Sequence, residues 1–189
     1  MNIAGIVLAG GKSSRYGKPK MFELHQGIPF YLFSVNAFKN AGLEAIFIST
    51  NQQLASQFDQ EVGSLLLEND EHNGPLFALS QAMKQLKDIE WFFVLAADIP
   101  YVTVEFVHTM LEVLKKNQPD IIMPITDEYV QPLHSIYNRS CLPIIEELLH
   151  SNKRSFMPLL DRVSIQKIRF PNDQMDFVNI NKREDWNNE

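Results

Sequence analysis

A glycine pair and a run of basic and hydroxyl side chains follow the first apolar stretch of the chain, in IVLAGGKSSRYGKPK at residues 6–20. Glycine lets a backbone approach a ligand closely, and Gly10 and Gly11 stand directly after the apolar run. Successive N–H groups in such a loop cradle a phosphate. Ser13 and Ser14 add hydroxyl donors, Arg15 offers a fork for phosphate oxygens, and Lys20 a point charge. Lys12, Arg15, Lys18 and Lys20 gather here in a chain of formal net charge −6. That is a local funnel for a highly anionic small molecule. A pI near 5.4 argues against a general nucleic-acid binder, which needs a broad basic face.

Asp98 is the second candidate. In WFFVLAADIP it closes an apolar run just before Pro100. Mg²⁺ takes hard oxygen ligands, and one or two carboxylates plus substrate phosphates suffice. By residue type alone Asp98 is either such a ligand or the cap of a turn. Other chemistries find less support. The five histidines are widely spaced, with no H-x-x-x-H pair for a metal. Ser13 and Ser14 lack the G-x-S-x-G setting of a serine nucleophile. The loop misses the Walker A spacing, because Ile6 stands where its first glycine belongs, and it misses G-x-G-x-x-G.

These residues must be positioned by the elements around them. IAGIVLA, AIFIST, SLLLE, WFFVLAA and DIIMPI are short apolar runs without strict alternation, as strands covered on both faces require. Helical spacing fills the intervals, in PFYLFSVNAFKNAG, PLFALSQAMKQLK and VEFVHTMLEVLKKN. The alternation predicts a mostly parallel sheet with helices on both faces. LPIIEELLH reads as a later helix, and SIQKIRF and DFVNI as late strands that pair at an edge or cover the site. In such sheets ligands bind beyond the carboxyl ends of the strands, where both the glycine loop and Asp98 fall.

With 189 residues and 45% hydrophobic content, one domain over residues 1–189 is expected. A single cysteine, Cys141, cannot staple the fold and suits a reducing compartment. No signal peptide is read at MNIAGIVLAG, and no run approaches a membrane helix. The expectation is a soluble cytoplasmic protein with no membrane or nucleic-acid partner.

LAGGKSSRYGKPK resembles L-A-G-G-x-S-x-R-[MFY]-G-x-x-K, the signature of nucleotidyltransferases that activate sugars, isoprenoid precursors and molybdopterin. The double glycine and the chain length are most similar to the MobA-type molybdenum cofactor guanylyltransferases. GPLFAL, LAADIP, QPLHSIY and FVNINKREDW extend the resemblance over nearly the whole chain. It implies an α/β class fold, a Rossmann-like three-layer α/β/α domain with a mostly parallel sheet and a late edge or antiparallel portion. It implies transfer of GMP from GTP to Mo-molybdopterin with release of pyrophosphate. Arg15, Lys20 and Asp98 would be catalytic, with Mg²⁺ on Asp98. The nucleotide would meet Leu8, Ala9, Gly10, Gly11, Ser13, Lys20 and Asp98, with Asn51 and either Asn69 or Asp70 at the base. An Asp is the better acceptor for the N1–H and amino group of guanine.

Gly74 and Pro75 would form a loop beside the nucleotide, and Asn179 and Asn181 would meet the pterin substrate. Asn181 reads equally as the cap of a final helix, with Glu184 as its box partner. Arg154 reads equally as a contact to the pterin phosphate or as a solvated charge. Proteins of molybdenum cofactor synthesis or molybdoenzyme maturation are the implied partners. Cytidylyltransferases of this superfamily tend to carry alanine at the position of Gly10; the missing methyl here would leave room for a purine. A cytidylyltransferase of the same fold, with molybdopterin or a polyol phosphate as acceptor, and a non-catalytic nucleotide-binding module are the alternative readings.

Overall fold

The computed structural model describes residues 2–11, 19–59, 61–68 and 74–180. In chain order the strands are β1 (Ile3–Leu8), β2 (Leu24–His25), β3 (Ile28–Pro29), β4 (Ile46–Thr50), β5 (Ser64–Leu67), β6 (Trp91–Ala96), β7 (Ile121–Ile125), β8 (Ile136–Asn138) and β9 (Ile165–Arg169). The α-helices are α1 (Phe30–Asn40), α2 (Pro75–Gln85), α3 (Val104–Lys116), α4 (Leu142–His150) and the single turn α5 (Met157–Leu160). Seven strands form one sheet in the order β5-β4-β1-β6-β8-β7-β9, while β2 and β3 form a small hairpin.

The sheet is parallel except at β8, which runs antiparallel to both β6 and β7. The expected late antiparallel portion therefore lies inside the sheet, and the edge strand β9 runs parallel to β7. The expected strand in DFVNI is corrected: Met175–Phe177 is a 3-10 turn, and 178–180 pairs with no strand among the described residues. The remaining polar backbone of this segment is spent on contacts to the site, described below.

Alternate residues of the central strands serve two cores. Trp91, Phe93 and Leu95 of β6 join Val7 of β1 on the face covered by α1 and α3. Phe92 and Val94 join Ala4 and Ile6 on the face covered by α2 and α4. Phe93, Phe106, Phe30 and Phe38 are all fully buried, and each such side chain stabilises the fold by roughly 2–3 kcal/mol. Burial on both faces explains why these strands read as continuous apolar runs.

Local chemistry sets the helix starts that matter for the site. Thr103 caps α3, its hydroxyl accepting the Phe106 N–H at 3.2 Å. Gly74 precedes α2 with φ +86°, a conformation that glycine adopts without steric cost, and Pro75 occupies the first turn, where its missing N–H costs nothing. At the far end of α2, Arg139 binds the carbonyls of Met83 (2.7 Å), Leu86 and Ile89 (2.6 Å).

Candidate active site

The carboxyl ends of β5, β4, β1 and β6 bring Glu68, Asn51, Gly10 and Asp98 into one row, in that order. Neighbouring strands lie ~4.8 Å apart, so the row is roughly 14 Å long. Leu8 and Ala9 are fixed from both sides. Ala9 N–H donates to Ser49 O at 2.8 Å, Ala97 N–H donates to Leu8 O at 3.1 Å, and the Thr50 hydroxyl donates to Ala9 O at 3.3 Å.

Lys20 opens a 3-10 turn, Lys20–Phe22, and among the described residues its ammonium meets Asp98, Asn179 and Ile180. It pairs with the Asp98 carboxylate, donates to Asn179 Oδ1 at 3.0 Å, and donates to Ile180 O at 3.2 Å. Ile180 N–H in turn donates to Asp98 O at 3.3 Å. The Lys20 and Asp98 side chains keep only 14% and 15% of their surface exposed. A cation and a carboxylate are thus held at the sheet edge, largely withdrawn from water, near the start of the glycine loop.

Glu68 is the residue that the sequence reading missed. It follows β5, is 9% exposed, and accepts the Ser49 hydroxyl at 3.2 Å. Burial raises its carboxyl pKa, with the Ser49 hydrogen bond opposing. A Cβ on Gly10 would lie 2.5 Å from Glu68 Oε1. The space beside Gly10 is therefore filled by a carboxylate, which revises the reading of that space as empty room for a purine. Asn51 is buried at 2% exposure, and its Oδ1 accepts the Leu54 N–H at 3.1 Å. What Asn51 can offer a base is therefore its Nδ2 donor.

Gly74 and Arg154 come together at the start of α2: a Cβ on Gly74 would lie 3.1 Å from Arg154 O. The Arg154 guanidinium is exposed and donates to Asn152 Oδ1 at 3.3 Å. Asn179, for which the resemblance implies a place at the pterin, has its Oδ1 on Lys20. Ser13, Arg15, Asn69, Asp70 and Asn181 lie outside the described residues. Among the described residues no group of three or more His, Cys, Asp or Glu side chains could hold a metal ion by itself. Asp98 supplies one hard oxygen ligand, a donor set that fits Mg²⁺ only when substrate phosphates complete the coordination. Among the described residues no helix is long and apolar enough to cross a membrane.

Residues 5–164 match the MobA-like NTP transferase domain. A Halalkalibacterium halodurans protein named "Probable molybdenum cofactor guanylyltransferase" is 30% identical, over 96% of this chain and 94% of that protein. A Bacillus cereus (strain G9842) protein of the same name is 31% identical, over 97% of this chain and 93% of its own length. The crystal structure of molybdopterin-guanine dinucleotide biosynthesis protein A from Archaeoglobus fulgidus superposes with a TM-score of 0.78 at 19% identity, covering 96% of this chain and 94% of that one. The domain match spans the glycine loop, β6 and Asp98, and with full-length relatives at this identity the chain belongs to the MobA-like NTP transferase family.

Proposed function

We propose that the chain transfers GMP from GTP to the terminal phosphate of Mo-molybdopterin, forming molybdopterin guanine dinucleotide and pyrophosphate in the cytoplasm. The observation that carries this reading is the contact of Lys20 with Asp98 beside the Leu8–Gly11 backbone. The terminal phosphate of the acceptor is already ionised at neutral pH, so no protein base is needed. Its oxygen attacks the α-phosphorus of GTP in line, the bond to the β-phosphate oxygen breaks, and pyrophosphate leaves. Catalysis then rests on positioning and charge stabilisation.

The sheet edge supports the orientation. The base lies toward β4 and β5, and the phosphates lie toward β1 and β6. Asn51 Nδ2 donates to the guanine carbonyl, and the Glu68 carboxylate accepts from the N1–H and amino edge. Adenine presents an acceptor at N1, and a carboxylate opposes it. The Gly10 and Gly11 amides hold the phosphates, and Lys20, joined by Arg15, offsets the charge that builds on them. Asp98 would hold Mg²⁺ jointly with the phosphates, where a divalent cation supplies Lewis-acid polarisation and orients the leaving group. Gly74, Pro75 and Arg154 line the acceptor side.

Labelled GTP incubated with Mo-molybdopterin tests the reading. Stoichiometric pyrophosphate and a labelled dinucleotide are expected. GTP binding without pyrophosphate release would make the chain a nucleotide-binding module.

A further inference from the structure

The segment that carries Asn179 to Lys20 is anchored at a second point, away from the reacting groups. Asp176 is 2% exposed. Its Oδ1 accepts both the backbone N–H and the hydroxyl of Thr103, each at 2.7 Å, and its second oxygen accepts from Gln174 Nε2. Thr103 is the cap of α3, and its hydroxyl is oriented because it also accepts the Phe106 N–H at 3.2 Å. The carboxylate therefore sits at a helix N-terminus, where the helix dipole favours negative charge. The Asp176 carbonyl accepts from His134 Nε2 at 3.1 Å. Phe177 packs edge-on against Phe106, His134 and Phe170, with ring centroids 5.6, 5.1 and 5.5 Å away.

Asn179 follows Asp176 by three positions, and three residues of extended chain span at most ~11 Å. With Asp176 and Phe177 fixed, Asn179 and Ile180 have little freedom to leave Lys20. The segment 176–180 is thus a strap with α3 at one end and the catalytic lysine at the other. A buried carboxylate is a costly way to fasten a surface segment, and an apolar residue would pack there more cheaply. What the carboxylate adds is a fixed register: two hydrogen bonds to one residue set where along the strap the next polar groups fall.

We propose that Asp176 is a positioning residue for Lys20. Through Thr103 it fixes the strap so that Asn179 Oδ1 and Ile180 O hold the ammonium toward the phosphate site. The proposal rests on the reading of Lys20 as the catalytic cation.

The test is a double-mutant cycle of Asp176→Ala with Lys20→Ala, read as kcat and nucleotide KM. It is paired with the ¹⁵N signal of the Lys20 ammonium, which Asp98, Asn179 and Ile180 shield from exchange with water. Asp176→Ala is expected to lower kcat ~10-fold or more while the protein stays folded, since misplacement by about 1 Å carries losses of this order. In the Lys20→Ala background the same change is expected to cost no more than ~2-fold. Asp176→Asn, which keeps an oxygen acceptor for Thr103, is expected to recover most of kcat. The Lys20 ammonium signal is expected to broaden away in Asp176→Ala and to remain in Asp176→Asn. If Asp176→Ala does not fold, Thr103→Val removes one of the two donors and is expected to give the same pattern at smaller size. Equal fold-losses in both backgrounds, or an unchanged ammonium signal in the variant, would overturn the proposal. If the signal responds to Asp176 while Lys20→Ala keeps full turnover, the positioning link stands and the catalytic reading of Lys20 falls.

Discussion

Adding one methyl group at Gly10 separates two explanations of base choice. The Cβ of Gly10→Ala would sit 2.5 Å from Glu68 Oε1 and 3.2 Å from the carboxyl carbon. Glu68 must then swing aside. It loses the Ser49 hydrogen bond, at 3.2 Å, which contributes about 1 kcal/mol. It also leaves its rotamer in a crowded pocket, at a cost of about 1 kcal/mol. A loss of roughly 2 kcal/mol in unfolding free energy is expected, measured by urea titration. If Glu68 reads the guanine edge, its displacement also removes an acceptor from the base, so kcat/KM for GTP should fall ~10-fold while that for CTP changes little. Glu68→Ala removes the obstacle. In that background Gly10→Ala is expected to cost less than about 0.5 kcal/mol and to leave the GTP/CTP ratio where Glu68→Ala put it. If the methyl acted by filling space meant for a purine, it would penalise GTP equally with or without Glu68. The same loss of stability and selectivity in both backgrounds would refute the Glu68 argument.

Lys20→Ala is expected to lower turnover ~100-fold or more, by removing a fixed charge from the developing phosphates. Stability should fall by about 3 kcal/mol, for leaving a largely buried Asp98 without its ion-pair partner; a collapse of melting temperature with normal turnover per folded molecule would contradict this. Asp98→Asn keeps the size and removes the charge, so Mg²⁺-dependent activity should be lost with the fold intact, whereas wild-type turnover at limiting Mg²⁺ would reduce Asp98 to a turn residue. His134 gives a stability prediction. Burial lowers its pKa from 6.5 to about 4, with the Asp176 carbonyl and carboxylate opposing. The folded-state value is depressed, so the unfolded chain binds the proton first as pH falls. The stability is full above pH 6.5 and is lost progressively toward pH 4, by about 2 kcal/mol at pH 5. Glu68 acts in the opposite sense, its raised pKa favouring the folded state at low pH. The His134 contribution is therefore read as the difference between the wild type and His134→Gln in urea titrations at pH 7.5 and 5.0. Equal pH slopes in the two proteins would show that His134 does not titrate in this way.

The parallel strands were legible because each lies between two helical layers and must be apolar throughout. The helix in LPIIEELLH was read with the bounds that α4 has, Leu142–His150, since an apolar stripe and a proline in the first turn are local signals. β8 was not legible. It is three residues long, follows a 3-10 turn, and reverses direction within a parallel sheet, so its pairing is decided by β6 and β7 rather than by its own pattern. Lys20 and Asp98, which the structure brings into contact, stand out in the sequence because their residue types and positions after apolar runs mark them. Glu68 was passed over for Asn69 and Asp70, although all three follow the same run. What distinguishes Glu68 is a hydrogen bond from Ser49, nineteen residues away on the adjacent strand. The strap was misread as a strand for a related reason. DFVNI has strand-like residues, but it is tied to Thr103, His134, Lys20 and Asp98, all distant in sequence.

Guanylyl transfer is tested by competition among nucleotides for one acceptor. The unmodified protein, Mg²⁺ and a Mo-molybdopterin acceptor are mixed with GTP, CTP and ATP, each labelled at the α-phosphate, and the labelled dinucleotides are resolved. The account predicts that GMP transfer exceeds CMP and AMP transfer by at least ~10-fold in kcat/KM. Equal or better use of CTP would contradict it and make the chain a cytidylyltransferase.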